Sequence, residues 1–206
     1  MKLYVNPLSP NARKVIAVAN HVKLDIDIEP VDLAKGQHKS PEYLALNPNG
    51  KVPTLVDGEL KLWESNAIMQ YMAGKAKSDL WPADDAKRAD ISRWQCWQLA
   101  HFGPPCAEIT YERVVKPMLQ QQPGDEDKVK AAEERFHQFA AVLNGALEGK
   151  KFLVGDAVTI ADFTVASTLT YAAPARIPLD SYTHIKAWLA RLDEVPAWKA
   201  SAPKMG

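Results

Sequence analysis

Within one short stretch, three kinds of group stand at spacings that could hold a small peptide. Glu64 and Ser65 open an amphipathic segment that places Ala67, Ile68, Tyr71 and Met72 on one face. A helix N-terminus carrying a hydroxyl and free N–H groups is a carboxylate site, and a glutamate beside it suits an ammonium. Just upstream, Val52-Pro53 begins an apolar run. An X-Pro bond is the one with an appreciable cis population, and a cis bond at this position presents the Val52 amide outward, as an edge for an extended peptide. Partners for an amide, a carboxylate and an amine together describe a small peptide. Ser9 is the second focus. It precedes a proline and a helical pattern whose first turns hold Asn11 and Arg13. Its hydroxyl can cap that helix or donate a hydrogen bond to an anion. No base for serine-protease chemistry lies nearby, and the five histidines are scattered.

The elements that must position these groups follow from periodicity. Lys2–Val5 reads as a strand, and Pro10 to Val22 as a helix with Ala12, Val15, Ile16, Ala19 and Val22 inward. Leu24, Ile26 and Ile28 alternate with acids, a second strand that the helical crossover makes parallel to the first. Ser40-Pro41-Glu42 supplies an N-cap, a proline at the first position and an acid in the first turn of a short helix. Asn47-Pro48-Asn49-Gly50 turns the chain. Val52–Val56 and Glu59–Trp63 then pair antiparallel about Asp57-Gly58, read as a type I′ turn. Gly74 is the expected terminator of the helix that follows. A βαβ unit followed by a hairpin and a helix is the thioredoxin-like order.

Beyond Gly74 the strand patterns stop. The expected division is an α/β thioredoxin-like domain over 1–77, a linker over 78–82 and an all-helical domain over 83–206. A long helix from about Ala83 is interrupted or kinked at Gly103-Pro104-Pro105 and resumes through Met118. Val129, Ala132, Phe136, Phe139, Leu143 and Leu147 face inward on the next helix, with Gly149 as its cap. Thr159 and Asp162 occupy capping positions of structural character. Ile185, Trp188, Leu189 and Leu192 mark a last helix that Pro196 stops.

The wording Val52-Pro53-Thr54-Leu55, Asp57-Gly58 and Leu62-Trp63-Glu64-Ser65-Asn66-Ala67-Ile68 resembles the glutathione-binding half of the cytosolic glutathione transferases. The opening Leu3 to Val15, the Gly36 to Leu44 loop and Thr159-Ile160-Ala161-Asp162 fit the same family, so the resemblance covers essentially the whole chain. It is similar to the serine-type branch, the phi and theta classes and their bacterial relatives. The early cysteine of the bacterial beta class is missing, and Tyr4 falls inside the first strand, too early for a catalytic tyrosine. The resemblance implies the glutathione transferase fold, and glutathione as a co-substrate with no further cofactor. It implies conjugation of the glutathione thiolate to small hydrophobic electrophiles, and a homodimer. Ser9 would stabilise the thiolate, with Asn11 as a second donor. Val52 and Pro53 would meet the cysteinyl backbone, Glu64 and Ser65 the γ-glutamyl end, and His38, Lys39 and Lys51 the glycine carboxylate. Lys51 stands where many relatives have glutamine. Trp97, His101 and Phe102 would line the electrophile pocket. Glutathione-dependent peroxidase, dehalogenase or isomerase activity is the alternative on the same fold, and a non-catalytic transferase-like binding module the alternative of another class. Retention of Ser9, Glu64 and Ser65 argues against the module.

Composition sets limits on partners. With 25 basic and 25 acidic residues the formal net charge is zero, so neither nucleic acid nor an anionic membrane surface is an expected partner. Met1 leads straight into a strand pattern without an apolar signal region, and no apolar run has spanning length. A cytoplasmic location is therefore expected. Cys96 and Cys106 lack metal-ligand or C-x-x-C spacing and read as buried free thiols.

Overall fold

The computed structural model of the protein describes residues 1–203. These residues divide into two compact units, Met1–Ala83 together with the segment that begins at Val195, and Asp84–Glu194.

The first unit is built on a four-stranded sheet of order β2-β1-β3-β4. Strand β1 (Lys2–Val5) leads into helix α1 (Pro10–Val22), whose crossover brings β2 (Asp27–Pro30) parallel to β1 with Leu3 opposite Ile28. After the one-turn helix α2 (Pro41–Leu44), β3 (Thr54–Asp57) runs antiparallel to β1, and β4 (Leu60–Trp63) closes the hairpin. Leu3, Val5 and Leu55 are buried on the sheet. Helix α3 (Ser65–Lys75) packs beside α1, burying Val15 and Val18 together with Ile68, Met69 and Met72.

Three local expectations shift. The β3–β4 ladder extends to the Asp57–Leu60 pair, so the two turn residues are Gly58-Glu59. Positive φ falls on Gly58 alone, the type II′ pattern instead of I′. Asp57 stays in the strand, where its carboxylate accepts from Tyr71 Oη (2.6 Å) and pairs with Lys75 of α3. Gly74 does not end α3, which continues to Lys75, and Lys77 takes the left-handed conformation after it. Pro196 follows the helix over Thr183–Asp193 and itself starts a further short helix.

The second unit is helical. Helix α4 (Asp85–Trp97), capped by Asp84, runs into a π-helical turn over Gln98–Phe102, then α5 (Gly103–Thr110), a second π turn over Tyr111–Val115 and α6 (Lys116–Gln120). Gly103-Pro104-Pro105 therefore does not break the run. The π turn inserts a residue ahead of it, so the prolines fall in the first turn of α5, where missing amide donors cost least. Helices α7 (Glu126–Ala146), α8 (Ile160–Ser167) and α9 (Thr183–Asp193) complete the unit, and every residue of α8 is buried. At the head of α8, Asp162 accepts from the Leu153 and Thr159 amides (2.9 Å each), from Thr159 Oγ1 (3.1 Å) and from Trp188 Nε1 (2.9 Å). Cys106 is buried, but Cys96 is exposed, because α4 turns that position away from its core face.

Where the sequence reading gave everything after 83 to the helical domain, the final helix α10 (Pro196–Ala200) belongs to the first unit. It packs on α1, with Trp198 buried and the Arg13 guanidinium 3.9 Å from the Trp198 ring centroid. Arg13 is thereby held over an aromatic face.

Candidate active site

A cleft of about 260 Å³ opens on the first unit. Asn11, Lys51, Val52, Pro53, Glu64 and Ser65 line it, joined by Asn47 and Asn49. Ser9, His38 and Lys39 do not contribute to that lining. Trp97, His101 and Phe102 belong to the helical unit, where Trp97 stacks on Phe102 with centroids 5.3 Å apart and Phe102 is fully buried against Phe136. His101 is exposed, 5.2 Å from the Phe139 ring.

Hydrogen bonds tie the cleft's walls together. The Val52-Pro53 bond is cis, and the ladder begins only at Thr54, so Val52 stands outside it. Sequence reasoning missed what braces this turn. The Lys51 carbonyl accepts from Tyr43 Oη (2.7 Å) and from Asn47 Nδ2 (2.8 Å). Asn47, itself buried, also donates to Thr54 Oγ1 at 3.1 Å and accepts from the Asn49 amide at 3.0 Å. An asparagine before a proline in a turn was the available signal. Gly50 has φ 57°, and a Cβ there would sit 3.1 Å from the His38 carbonyl, so a side chain would be strained and would crowd that carbonyl.

At the head of α3, Glu64 adopts φ 70°, ψ 109°, away from the regions that non-glycine residues normally occupy. Such a conformation costs about 1–3 kcal/mol and persists only where its surroundings enforce it. Its exposed carboxylate makes no capping bond. Ser65 is 8% exposed and donates from Oγ to Asn11 Oδ1 at 3.4 Å. The α3 N-terminus thus offers amide donors beside a hydroxyl and a carboxylate.

Ser9 is the N-cap of α1, its Oγ accepting from the Ala12 amide at 3.4 Å. A hydroxyl that accepts keeps its own proton to donate. The loop before it is anchored by Asn6, which donates to the Val31 carbonyl (3.0 Å) and accepts from the Leu8 amide (3.1 Å). His38, in a single 3₁₀ turn, has its Nδ1 buried without a hydrogen-bond partner among the described residues, and Lys39 beside it is exposed. Lys14 is a further residue that sequence reasoning missed. It is wholly buried, and burial pushes its ammonium down to about 7 against the opposing pull of the Glu64 charge. Among the described residues no cluster of three or more His, Cys, Asp or Glu could hold a metal ion, and no helix is long and apolar enough to cross a membrane.

Comparison with known proteins accords with this architecture. Residues 1–74 match the model of the glutathione S-transferase N-terminal domain, and residues 107–196 that of the C-terminal domain. The chain is 39% identical over 208 residues to glutathione S-transferase 3 of Zea mays, covering 97% of this chain and 91% of that protein. It is 36% identical to a probable glutathione S-transferase GSTF2 of Oryza sativa subsp. japonica, covering 100% and 97%. Among solved structures, glutathione transferase F7 from Populus trichocarpa superposes with a TM-score of 0.90 at 30% identity, over 98% of this chain and 97% of that one. A theta-class glutathione S-transferase from Xanthomonas axonopodis pv. citri with glutathione bound gives 0.89 at 30%, over 99% and 97%. With both domain models matched and full-length relatives above 30% identity, this chain belongs to the glutathione S-transferase family.

Proposed function

We propose that the protein binds glutathione along the cleft of its first unit and transfers the thiolate to hydrophobic electrophiles. One observation carries this reading: the cleft brings a residue just ahead of a strand, a helix N-terminus with a hydroxyl, an exposed carboxylate and a lysine into one lining. These match, in order, the cysteinyl backbone, the γ-glutamyl carboxylate, the α-ammonium and the glycine carboxylate of the tripeptide. Val52 and Pro53 take the first, Ser65 the second, Glu64 the third, and Lys51 the last, joined by Lys39 and by His38, whose carbonyl lies beside Gly50.

A thiol titrating near ~8.5 is only a few per cent ionised at neutral pH, and lowering it by about 2 units takes about 2.7 kcal/mol. A hydrogen bond from Ser9 Oγ to the sulfur anion supplies about 1.5–3 kcal/mol and the α1 N-terminus about 0.3–1, a combined range that brackets the requirement. Ser9 acts as a hydrogen-bond donor and forms no covalent bond. Asn11 is the second donor to sulfur. The resulting thiolate attacks an electrophilic carbon and displaces a leaving group or adds to an activated double bond. Trp97 and His101 supply aromatic surface for the electrophile, and Phe102 supports Trp97 from below. Glutathione is a co-substrate, and the chemistry calls for no further cofactor. The active form is a cytoplasmic homodimer. Strand β4, a sheet edge with Leu60 and Trp63 exposed, is a surface that a second copy would cover.

The test is an ultraviolet difference titration of bound glutathione thiolate against pH for the parent, Ser9→Ala and Asn11→Ala. The parent should show a lowered thiol pKa, and Ser9→Ala should return it by about 1–2 units, the equivalent of one charged hydrogen bond. A parent that binds no thiolate would leave the fold serving as a binding module.

A further inference from the structure

The side of α1 turned toward α3 carries two polar residues three positions apart, Asn11 and Lys14, which therefore share a face. Each reaches the head of α3. Asn11 Oδ1 accepts from Ser65 Oγ at 3.4 Å, and Lys14 Nζ donates to Asn66 Oδ1 at 2.8 Å. Asn66 directly follows Glu64 and Ser65, the pair placed at the γ-glutamyl end. The contact is thus made one residue beyond the ligand-facing groups, and Lys14 itself is not part of the cleft lining.

A lysine is a poor choice if this position only needs filling. Lys14 has no exposed surface, and its neighbours on α1 are Val15, Ala17 and Val18, all buried. Apolar replacement of a buried ionic group is commonly neutral or stabilising. Two features of its surroundings give the ammonium a task. Glu64 lies close enough for its charge to act on Lys14. Glu64 also holds a backbone conformation that relaxes unless the following residues are fixed. An amine hydrogen-bonded to Asn66 in either protonation state, and attracted to Glu64 while protonated, secures the two residues flanking Ser65.

We propose that Lys14 is a positioning residue for the γ-glutamyl subsite, holding the Glu64-Ser65-Asn66 turn in its binding geometry from beneath. The inference rests on the glutathione reading above. It makes Lys14 a determinant of glutathione affinity with little part in the chemical step, because the thiolate is stabilised elsewhere, at Ser9.

The experiment compares the parent with Lys14→Met, Asn66→Ala and the double variant. The measurements are glutathione KM and kcat with a chloronitroarene electrophile, together with thermal unfolding. Lys14→Met should raise KM for glutathione about 5- to 20-fold while kcat at saturating glutathione stays within about twofold, the signature of lost ground-state binding. Asn66→Ala should raise KM similarly, and the double variant should be no worse than either single one, because one interaction is being removed twice. An unchanged KM in a folded Lys14→Met variant would overturn the proposal. So would parallel losses of kcat and melting temperature, which mark a purely structural residue. If Lys14→Met does not fold, Asn66→Ala decides alone, with an unchanged KM again overturning the proposal. Failure of the parent itself to turn over or bind glutathione would instead remove the underlying reading.

Discussion

The starts of α8 and α3 each carry a hydroxyl and an acid, and they are used in opposite ways. At the head of α8, Thr159 and Asp162 are buried and satisfied from within. The Asp162 carboxylate collects four donors, and Thr159 bonds both Asp162 and the Ala161 amide. At the head of α3, Glu64 is exposed, makes no capping bond and holds a strained backbone, while Ser65 reaches only as far as Asn11. The same residue types thus serve structure in one place and, on the glutathione reading proposed above, recognition in the other. What separates them is whether the protein itself consumes their hydrogen-bonding capacity. A group that the fold has satisfied has nothing left for a ligand, and a group held unsatisfied at a cost in strain is available for one.

The largest expected effect comes from breaking the satisfied member. Asp162→Ala strands two buried backbone amides and the Trp188 N–H, and each unsatisfied buried donor costs about 1–3 kcal/mol. Burial pushes the Asp162 carboxyl up in spite of these donors, and with three buried donors stranded the loss should total about 3–5 kcal/mol. Urea unfolding measures it. Glutathione KM of the remaining folded enzyme should stay within about twofold, since the site at α3 is untouched. A variant of parental stability with a raised KM would erase the distinction between the two helix starts.

Sequence reading separated these two constellations only in part, and the reasons are physical. The bounds of β1 and α1 were legible because a period of two followed by a period of 3.6 is a local signal, and Ser9 was legible as a cap because Pro10 fixes the first helical position. The cis bond at Pro53 was legible from proline's own chemistry. The hairpin was misplaced by one residue because Asp57-Gly58 is a good turn pair in isolation. The ladder keeps Asp57 because Tyr71 and Lys75, far along the chain, hold its carboxylate. Gly103-Pro104-Pro105 looked like a breaker because a π turn upstream carries no composition signal. Lys14 was invisible for a similar reason. A lysine counts as polar in any periodicity, and its burial comes from α3 packing over it.

Lys14 also gives the comparison a pH axis. Its pKa is about 7 in the folded protein and near 10.5 when unfolded. Between those values the unfolded chain holds the extra proton, so this group's contribution to stability rises with pH and is lost as pH falls toward 7. The difference in unfolding free energy between Lys14→Met and the parent isolates that contribution from the other titrating groups. Relative to the variant, the parent should gain about 1 kcal/mol per pH unit from pH 7.5 to 9. A difference that is flat with pH would mean the lysine keeps its proton throughout, the Glu64 charge outweighing burial.

The smallest effect is the one with the most informative sign. Glu64→Gly places the residue that tolerates positive φ where a strained one stood, relieving about 1–3 kcal/mol, while the added freedom of the unfolded glycine returns about 0.5–1. The net should be a stabilisation of about 1 kcal/mol by urea unfolding. Glutathione KM should rise because the carboxylate proposed to meet the ammonium is gone, while the proposed sulfur site at Ser9 is unchanged. Stability and affinity then move in opposite directions at α3, whereas Asp162→Ala lowers stability and leaves affinity alone. A less stable Glu64→Gly variant with parental KM would place Glu64 in the same class as Asp162, a residue the fold needs for itself, and the recognition role would pass to Ser65 and the α3 amides alone.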